Sequence, residues 1–392
     1  MKKVKSFTSQ LVSFSKSIYG NNFIPLHRPV FEGNEKNYLI DCIDSNFVSS
    51  VGKKVTEFEL KIAEFTDSKY AIATVNGTAA LHAAIQLAGV KRGDEVLTQA
   101  VTFIATCNAL SYSGAEPIFI DVDEDTMGMS PNSLKIFLES NAKIVNGETI
   151  NKKTGKRIAA CVPMHTFGIP CRIKDIQSVC DEWNLSLIED CAESLGSYVN
   201  KIHTGKFGET AILSFNGNKL ITTGGGGMII TDDENLAIHA KHMTTTSKVP
   251  HPFEFVHDEV GYNYRMPNLN AALGCAQMER LEEFLIIKTN VAEQWNDFLS
   301  NSDVKFIKPL DGDTANNWLN TIMLDSKPER DYFLEHTNKS GVMTRPIWTL
   351  MSKLEMFKHC QNDGLKNSVK LEERIVNIPS SVPDGALSKI KN

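Results

Sequence analysis

Hydrophobic positions recur along this chain in two rhythms that take turns. From about residue 34 to 232, helical spacing alternates with short apolar runs. Glu35–Ser45 and Thr56–Thr66 read as helices, and Tyr70–Val75 as a strand. Gly77 and Thr78 open a helix that runs on through Ala79–Leu87. Strands are expected at Glu95–Thr98, Pro117–Val122, Ile158–Met164 and Leu185–Glu189, with helices between them at Ala105–Ser111, Ser130–Ser140 and Ile173–Trp183. Thr210–Phe215 and Met228–Thr231 are two more short apolar runs. Regular alternation of this kind predicts an α/β domain with a mostly parallel sheet covered by helices on both faces. In such sheets ligands bind beyond the carboxyl ends of the strands. Asn76, Thr166 and Asp190 fall at such ends.

Outside that block the pattern changes. Val4, Phe7, Leu11, Phe14 and Ile18 recur at helical spacing and predict an amphipathic helix that packs on its own protein or on a partner subunit. The polar stretch 141–157 reads as a surface excursion, of which a hairpin is one form. Leu269–Leu299 reads as one long helix bridging into a smaller α+β C-terminal domain, with a strand at Trp318–Leu324, a helix near Arg330–Ser340 and an extended stretch from Val342 to Trp348. The expected organisation is a lead-in over 1–30, a large domain over 31–265 and a bridging helix with a small domain over 266–392.

Composition narrows the function classes. A formal charge of −6 argues against a nucleic-acid-binding surface. There is no run of about 18 apolar residues, so no membrane span is expected. The N-terminus lacks the apolar core of a signal peptide. The eight cysteines form no C-x-x-C pair and mostly lie in apolar runs, which predicts buried thiols, no metal site and a cytoplasmic protein.

Four features carry candidate chemistry. Lys219 sits in a polar loop, Ser214-Phe-Asn-Gly-Asn-Lys219, between two apolar runs and just before Gly224–Gly227. Held out of bulk water, a lysine there would favour the neutral, nucleophilic amine that Schiff-base chemistry needs. Asn76-Gly77-Thr78 joins a strand to a helix start, where free N–H groups can bind phosphate. Phe103, just after a strand, could stack on a flat ring or simply fill the core. Asp190 ends an apolar strand and could cap the next helix or pair with a pyridinium nitrogen.

Taken with Gly-Thr-Ala-Ala-Leu at 77–81, Glu-Asp-Cys-Ala-Glu-Ser-Leu-Gly at 189–196, Gly-Gly-Met at 226–228 and Gly-Tyr-Asn-Tyr-Arg-Met at 261–266, the lysine loop resembles the DegT/StrS sugar-nucleotide aminotransferases, which are fold type I enzymes using pyridoxal phosphate (PLP). The resemblance runs from about residue 24 to the end. It implies that Lys219 carries the cofactor and moves the proton, that Asp190 binds the ring nitrogen and that Phe103 stacks on the ring. It further implies that Gly77, Thr78 and Ser214 hold the phosphate, and that Asn263 reaches the cofactor of a neighbouring subunit in a homodimer with shared sites. Glu193 falls near the ring where many relatives carry Gln, and His165 falls near the cofactor with a catalytic part left open. Arg265, Trp318, Arg345 and Trp348 are candidates to meet the substrate, each arginine being equally explicable as a structural salt bridge.

Such enzymes move an amino group from a donor, usually L-glutamate, to a nucleotide-linked keto-sugar. The blocks Phe23-Ile-Pro-Leu-His27, Val48-Ser-Ser-Val-Gly52, residues 161–168 and Val249-Pro-His-Pro252 resemble the branch aminating C4 of a UDP-linked 4-keto-6-deoxy-N-acetylhexosamine for bacillosamine or legionaminic acid. The alternatives are another nucleotide-linked 4-keto-6-deoxy sugar of the perosamine type, a C3 keto sugar, or a non-catalytic relative. A sugar dehydratase would carry histidine at Lys219, and Gly224–Gly227 lacks the strand-to-helix setting of a dinucleotide fingerprint.

Overall fold

The computed structural model describes residues 2–300 and 302–390. Helix α1 (Lys2–Tyr19) lays its apolar stripe on the chain's own C-terminal half. Phe7 stacks on Phe333 at 5.8 Å, and Phe14 stacks on Phe298 at 4.3 Å. Of the two surfaces open to it, the helix takes the one on its own protein.

The large domain then builds in order α2 (Glu35–Asp44), α3 (Lys53–Thr66), β1 (Tyr70–Thr74), α4 (Gly77–Leu87), β2 (Glu95–Gln99), α5 (Ile104–Tyr112), β3 (Glu116–Ile120) and α6 (Pro131–Asn141). A hairpin, β4 (Ala142–Val145) and β5 (Glu148–Asn151), fills the polar excursion. Next come β6 (Ile158–Val162), α7 (Ile173–Glu182), β7 (Ser186–Asp190), the small ribbon β8 (Tyr198–Val199) with β9 (Ile202–His203), β10 (Thr210–Ser214), β11 (Gly227–Thr231) and α8 (Glu234–Thr244). Helix starts are written into the sequence. Asn76 caps α4 by accepting from the Ala79 amide, and Ser130 caps α6 with Pro131 behind it. Asp233 does the same for α8, a helix the apolar spacing alone did not disclose.

Seven strands lie in the order β1-β11-β10-β7-β6-β2-β3. All neighbours are parallel except β11, which runs antiparallel between β1 and β10. Both faces are covered. Ile188 points with Val96 and Ala160 towards α4, α5 and α8, while Leu187 points with Leu97 and Cys161 towards α6 and α7. This is the α/β fold expected from the alternation.

The segment expected as one long helix is two: α9 (Asn268–Met278) and α10 (Leu281–Leu299), broken by a turn at Glu279-Arg280. The C-terminal part holds β12 (Lys305–Phe306), β13 (Asn320–Met323), α11 (Lys327–Lys339), β14 (Arg345–Pro346), α12 (Lys366–Glu372), β15 (Ile375–Ile378) and α13 (Ala386–Ile390). Its four strands form an antiparallel sheet, β12-β13-β15-β14. The strand expected at Trp318–Leu324 begins only at Asn320, which frees Trp318 to turn away from the sheet. All eight cysteines are buried free thiols. Among the described residues no helix is long and apolar enough to cross a membrane.

Candidate active site

A cavity of about 340 Å³ opens at the carboxyl ends of β1, β7 and β10, with residues of the C-terminal part closing it. Gly77, Thr78, Phe103, Asp190, Glu193, Ser214, Lys219, Trp318 and Trp348 all line it. The chain brings them together from six separate stretches of sequence.

Lys219 reaches the cavity because its loop is tied at both ends. The Phe215 amide donates to Gly226 O at 2.9 Å, and the Thr223 amide donates back to Phe215 O at 3.0 Å. The Lys219 Nζ donates to Glu193 Oε1 at 3.1 Å and sits 4.1 Å from the centre of the Trp318 ring. Only 13% of its side chain is exposed. The second half of the glycine run beside it, Gly226 and Gly227, is crowded. A Cβ on Gly227 would lie 2.4 Å from Asn76 O, so glycine lets β11 press against the start of α4.

Asp190, the last residue of β7, is buried. Its Oδ2 accepts from the Thr106 hydroxyl at 2.8 Å, and its Oδ1 from the Ala192 amide at 3.1 Å. Burial pushes its carboxyl above the ordinary value, against these hydrogen bonds and the charge of Lys219. Each oxygen keeps a free lone pair, so a cationic N–H in the cavity would relieve the cost of burying this carboxylate. Glu193 is likewise raised, by burial first, with Lys219 and the Phe167 amide pulling the other way. Its Oε2 accepts from the Phe167 amide at 2.9 Å. Phe167 holds a left-handed conformation, φ 58°, unusual for a bulky residue, and its ring lies 4.8 Å from that of Trp348.

The opposite wall is the start of α4. Gly77 and Thr78, its first two residues, line the cavity, and amides at such a position have no partner within the helix. Ser214 lies so near that a Cβ on Gly77 would meet its Cβ at 2.9 Å. Gly77, the Thr78 hydroxyl and Ser214 thus form a cradle of small polar groups suited to a phosphate. Phe103 stands at the rim, 48% exposed, with its flat ring available for stacking.

Four expected site residues lie elsewhere. His165 does not reach the cavity. Its Nε2 faces Glu189 Oε2 at 3.0 Å, and its Nδ1 accepts from the Cys171 amide at 3.2 Å, which places the ring proton on Nε2. Burial would raise the Glu189 carboxyl, but the His165 hydrogen bond and the amides of Gly205 and Gly208 outweigh it and hold it below the ordinary value. Neighbouring strand residues face opposite sides, so Glu189 and His165 are locked into the interior while Asp190 faces the cavity. The part for His165 at the reacting atoms is therefore corrected. Arg345 is exposed and donates to Asn338 Oδ1 at 3.1 Å, outside the cavity. Asn263 and Arg265 pair with each other at 2.9 Å on the surface. The sequence reading missed Thr106, which orients Asp190, and Asn218, whose carbonyl accepts from Trp318 Nε1 at 2.7 Å. Thr102 and Thr106, one helical turn apart and hydrogen-bonded at 2.8 Å, are the trace that could have flagged the first.

The sequence model of the DegT/DnrJ/EryC1/StrS aminotransferase family matches residues 29–384. GDP-perosamine synthase of Vibrio cholerae is 35% identical over 360 residues, covering 91% of this chain and 94% of its own. A putative pyridoxal phosphate-dependent aminotransferase, EpsN, of Bacillus subtilis is 34% identical over 85% of this chain and 84% of its own. Among solved structures, the aminotransferase TlmJ from Streptoalloteichus hindustanus superposes with a TM-score of 0.83 at 24% identity, covering 94% of this chain and 96% of its own. The putative sugar aminotransferase Spr1654 from Streptococcus pneumoniae, in its PLP form, gives 0.82 at 19% identity, over 94% and 96%. The chain belongs to the DegT/DnrJ/EryC1/StrS aminotransferase family, and its cofactor is pyridoxal phosphate.

Proposed function

We propose, from the premise that this chain is a sugar-nucleotide aminotransferase, that it transfers an amino group from L-glutamate to C4 of a nucleotide-linked 4-keto-6-deoxy sugar. The observation that carries the reading is the meeting of Lys219 with Glu193 at 3.1 Å, inside one cavity that also presents Asp190 and the start of α4. When bound, pyridoxal phosphate supplies a carbonyl for the migrating nitrogen and a ring that draws electrons from the carbon losing its proton. The residues around it divide the remaining work.

Gly77, Thr78 and Ser214 hold the phosphate through short polar contacts and the helix start. Asp190, oriented by Thr106, holds the ring nitrogen in its protonated form, which keeps the ring electron-poor. Phe103 covers a ring face. Lys219 is the point of covalent attachment and the amine that takes a proton from one carbon and returns it to another. Trp318 and Trp348 close the cavity on the substrate side. Asn263 and Arg265, on the surface of their own subunit, serve the cavity of a second copy, so the working unit is a homodimer with shared sites.

For the sugar, the perosamine-type reading has better support than the UDP-linked N-acetylated one, since relatives spanning nearly the whole chain are named GDP-perosamine synthases. The test is product mass spectrometry after offering L-glutamate with GDP-, dTDP- and UDP-linked 4-keto-6-deoxy sugars and a 3-keto control. Turnover of the GDP-linked sugar above all others is expected. Exclusive turnover of the UDP-linked N-acetylated sugar would restore that assignment, and turnover of the 3-keto control alone would overturn C4.

A further inference from the structure

Lys288 is a buried lysine that the reaction does not use. It lies on the inner face of α10, 1% exposed, on the same buried face as Phe284, Val291 and Trp295. Burial pushes its ammonium down to about 7, and among the described residues no carboxylate pairs with it to offset the cost. A leucine or methionine would fill the same space without desolvating a charge. The expensive group has a geometric role: Nζ donates to Trp318 O at 3.3 Å and to Ser380 O.

Both acceptors sit at crossings. The Ser380 amide donates to Leu26 O at 2.8 Å, so this turn binds the lead-in segment. Trp318 follows Asn316, whose Nδ2 donates to Glu193 O at 2.8 Å and whose Oδ1 accepts from the Trp318 amide at 2.8 Å. From there the indole Nε1 of Trp318 donates to Asn218 O, and the ring lies beneath Lys219 Nζ. His27 packs against the same junction. Burial and the nearby Lys288 ammonium keep its imidazole well below the ordinary value, hence neutral. Behind the floor of the cavity there is thus one long donor gripping the backbone of the residue on which Lys219 rests.

We propose that Lys288 is a positioning residue for the reaction, fixing Trp318 from behind and through it the placement of Lys219. The proposal rests on the reading of Lys219 as the reacting lysine. Methionine keeps the volume of Lys288 and removes the donor, leaving the Trp318 carbonyl free to move. Trp318→Phe keeps a ring under Lys219 and removes the tie to Asn218.

The experiment compares the PLP-loaded wild type with Lys288→Met, Trp318→Phe and the double variant, measuring melting temperature, kcat, KM for L-glutamate and the pH midpoint of the cofactor's visible absorbance. A relay predicts a kcat loss of at least about tenfold in each single variant with KM changed less than about threefold. It also predicts a displaced absorbance midpoint, and a double variant no worse than about twofold beyond the weaker single one. A folded Lys288→Met with wild-type kcat and midpoint overturns the proposal, as do losses that multiply in the double variant. If Lys288→Met does not fold, undiminished kcat in Trp318→Phe overturns it equally. Borohydride reduction followed by peptide mass mapping stands apart from these outcomes: a cofactor mass absent from Lys219 in the wild type would sink the active-site reading itself.

Discussion

Lys219 and Glu193 form an ion pair across the cavity floor, Nζ to Oε1 at 3.1 Å, with both side chains withdrawn from water. A buried pair of this kind stands or falls together, because removing one partner leaves the other charge uncompensated. Lys219→Ala is expected to abolish transamination, by at least about a thousandfold given the usual worth of a proton-transferring group at the reacting carbon. The same variant should show no borohydride-trapped cofactor. Turnover at the wild-type rate would remove Lys219 from its assigned place.

Asp190→Asn separates stability from catalysis. The folded protein holds the Asp190 proton to a higher pH than the unfolded chain does, so in that window the native state binds more protons. Stability contributed by this group is then lost as pH rises through the raised folded value. In the cofactor-free protein the Asn variant should therefore lose less stability than wild type as pH rises from about 4, the ordinary value of an unfolded aspartate (thermal melts across a pH series from there upward), while turnover falls about a hundredfold or more. A variant with wild-type turnover would count against Asp190 as the ring-nitrogen partner.

Gly77→Ala tests the cradle. Its new Cβ would meet Ser214 Cβ at 2.9 Å and push α4 away from β10. Cofactor affinity should weaken about tenfold, or about 1.4 kcal/mol, measured by titrating the apo-protein with pyridoxal phosphate. Unchanged affinity would show that the phosphate is held elsewhere.

His165→Leu should act on the fold rather than the chemistry. It removes the hydrogen bond to the fully buried Glu189, which keeps the amides of Gly205, Phe207 and Gly208, and unfolding in urea should register a loss of about 1.5–3 kcal/mol. With the cavity lining untouched, kcat in the surviving folded protein should fall less than about tenfold. A collapse of kcat with stability intact would return His165 to the reaction.

Asn263 gives the test of shared sites. Inactive Lys219→Ala and Asn263→Ala proteins, mixed under conditions where subunits exchange, should regain part of the wild-type activity. Exchange without recovery would argue for a cavity completed within one chain.

Much of this could be read along the chain. Asp190 and Lys219 stood out because each interrupts or follows an apolar strand in a setting where burying charge is costly. The helix starts expected at Gly77 and Ser130 lie within a residue of where they occur, and the structure shows Asn76 and Ser130 capping them. Glu189, His165 and Asp190 show where reading stopped. Glu189 and Asp190 are sequence neighbours with the same chemistry, and only the facing of β7 sends one to the amides of residues 205–208 and the other to the cavity.

The amino-acid sequence by itself determined the alternation of elements and the two-faced sheet, and marked Lys219 and Asp190 as candidates, because periodicity and strand ends are local properties of the chain. Tertiary structure alone decided that Trp318 leaves its strand to lie under Lys219, that Thr106 orients Asp190 and that Lys288 holds the floor from behind. Those contacts join residues about 30 to 100 positions apart, and which of many buried polar groups find one another is set by packing across the whole fold rather than by any local preference.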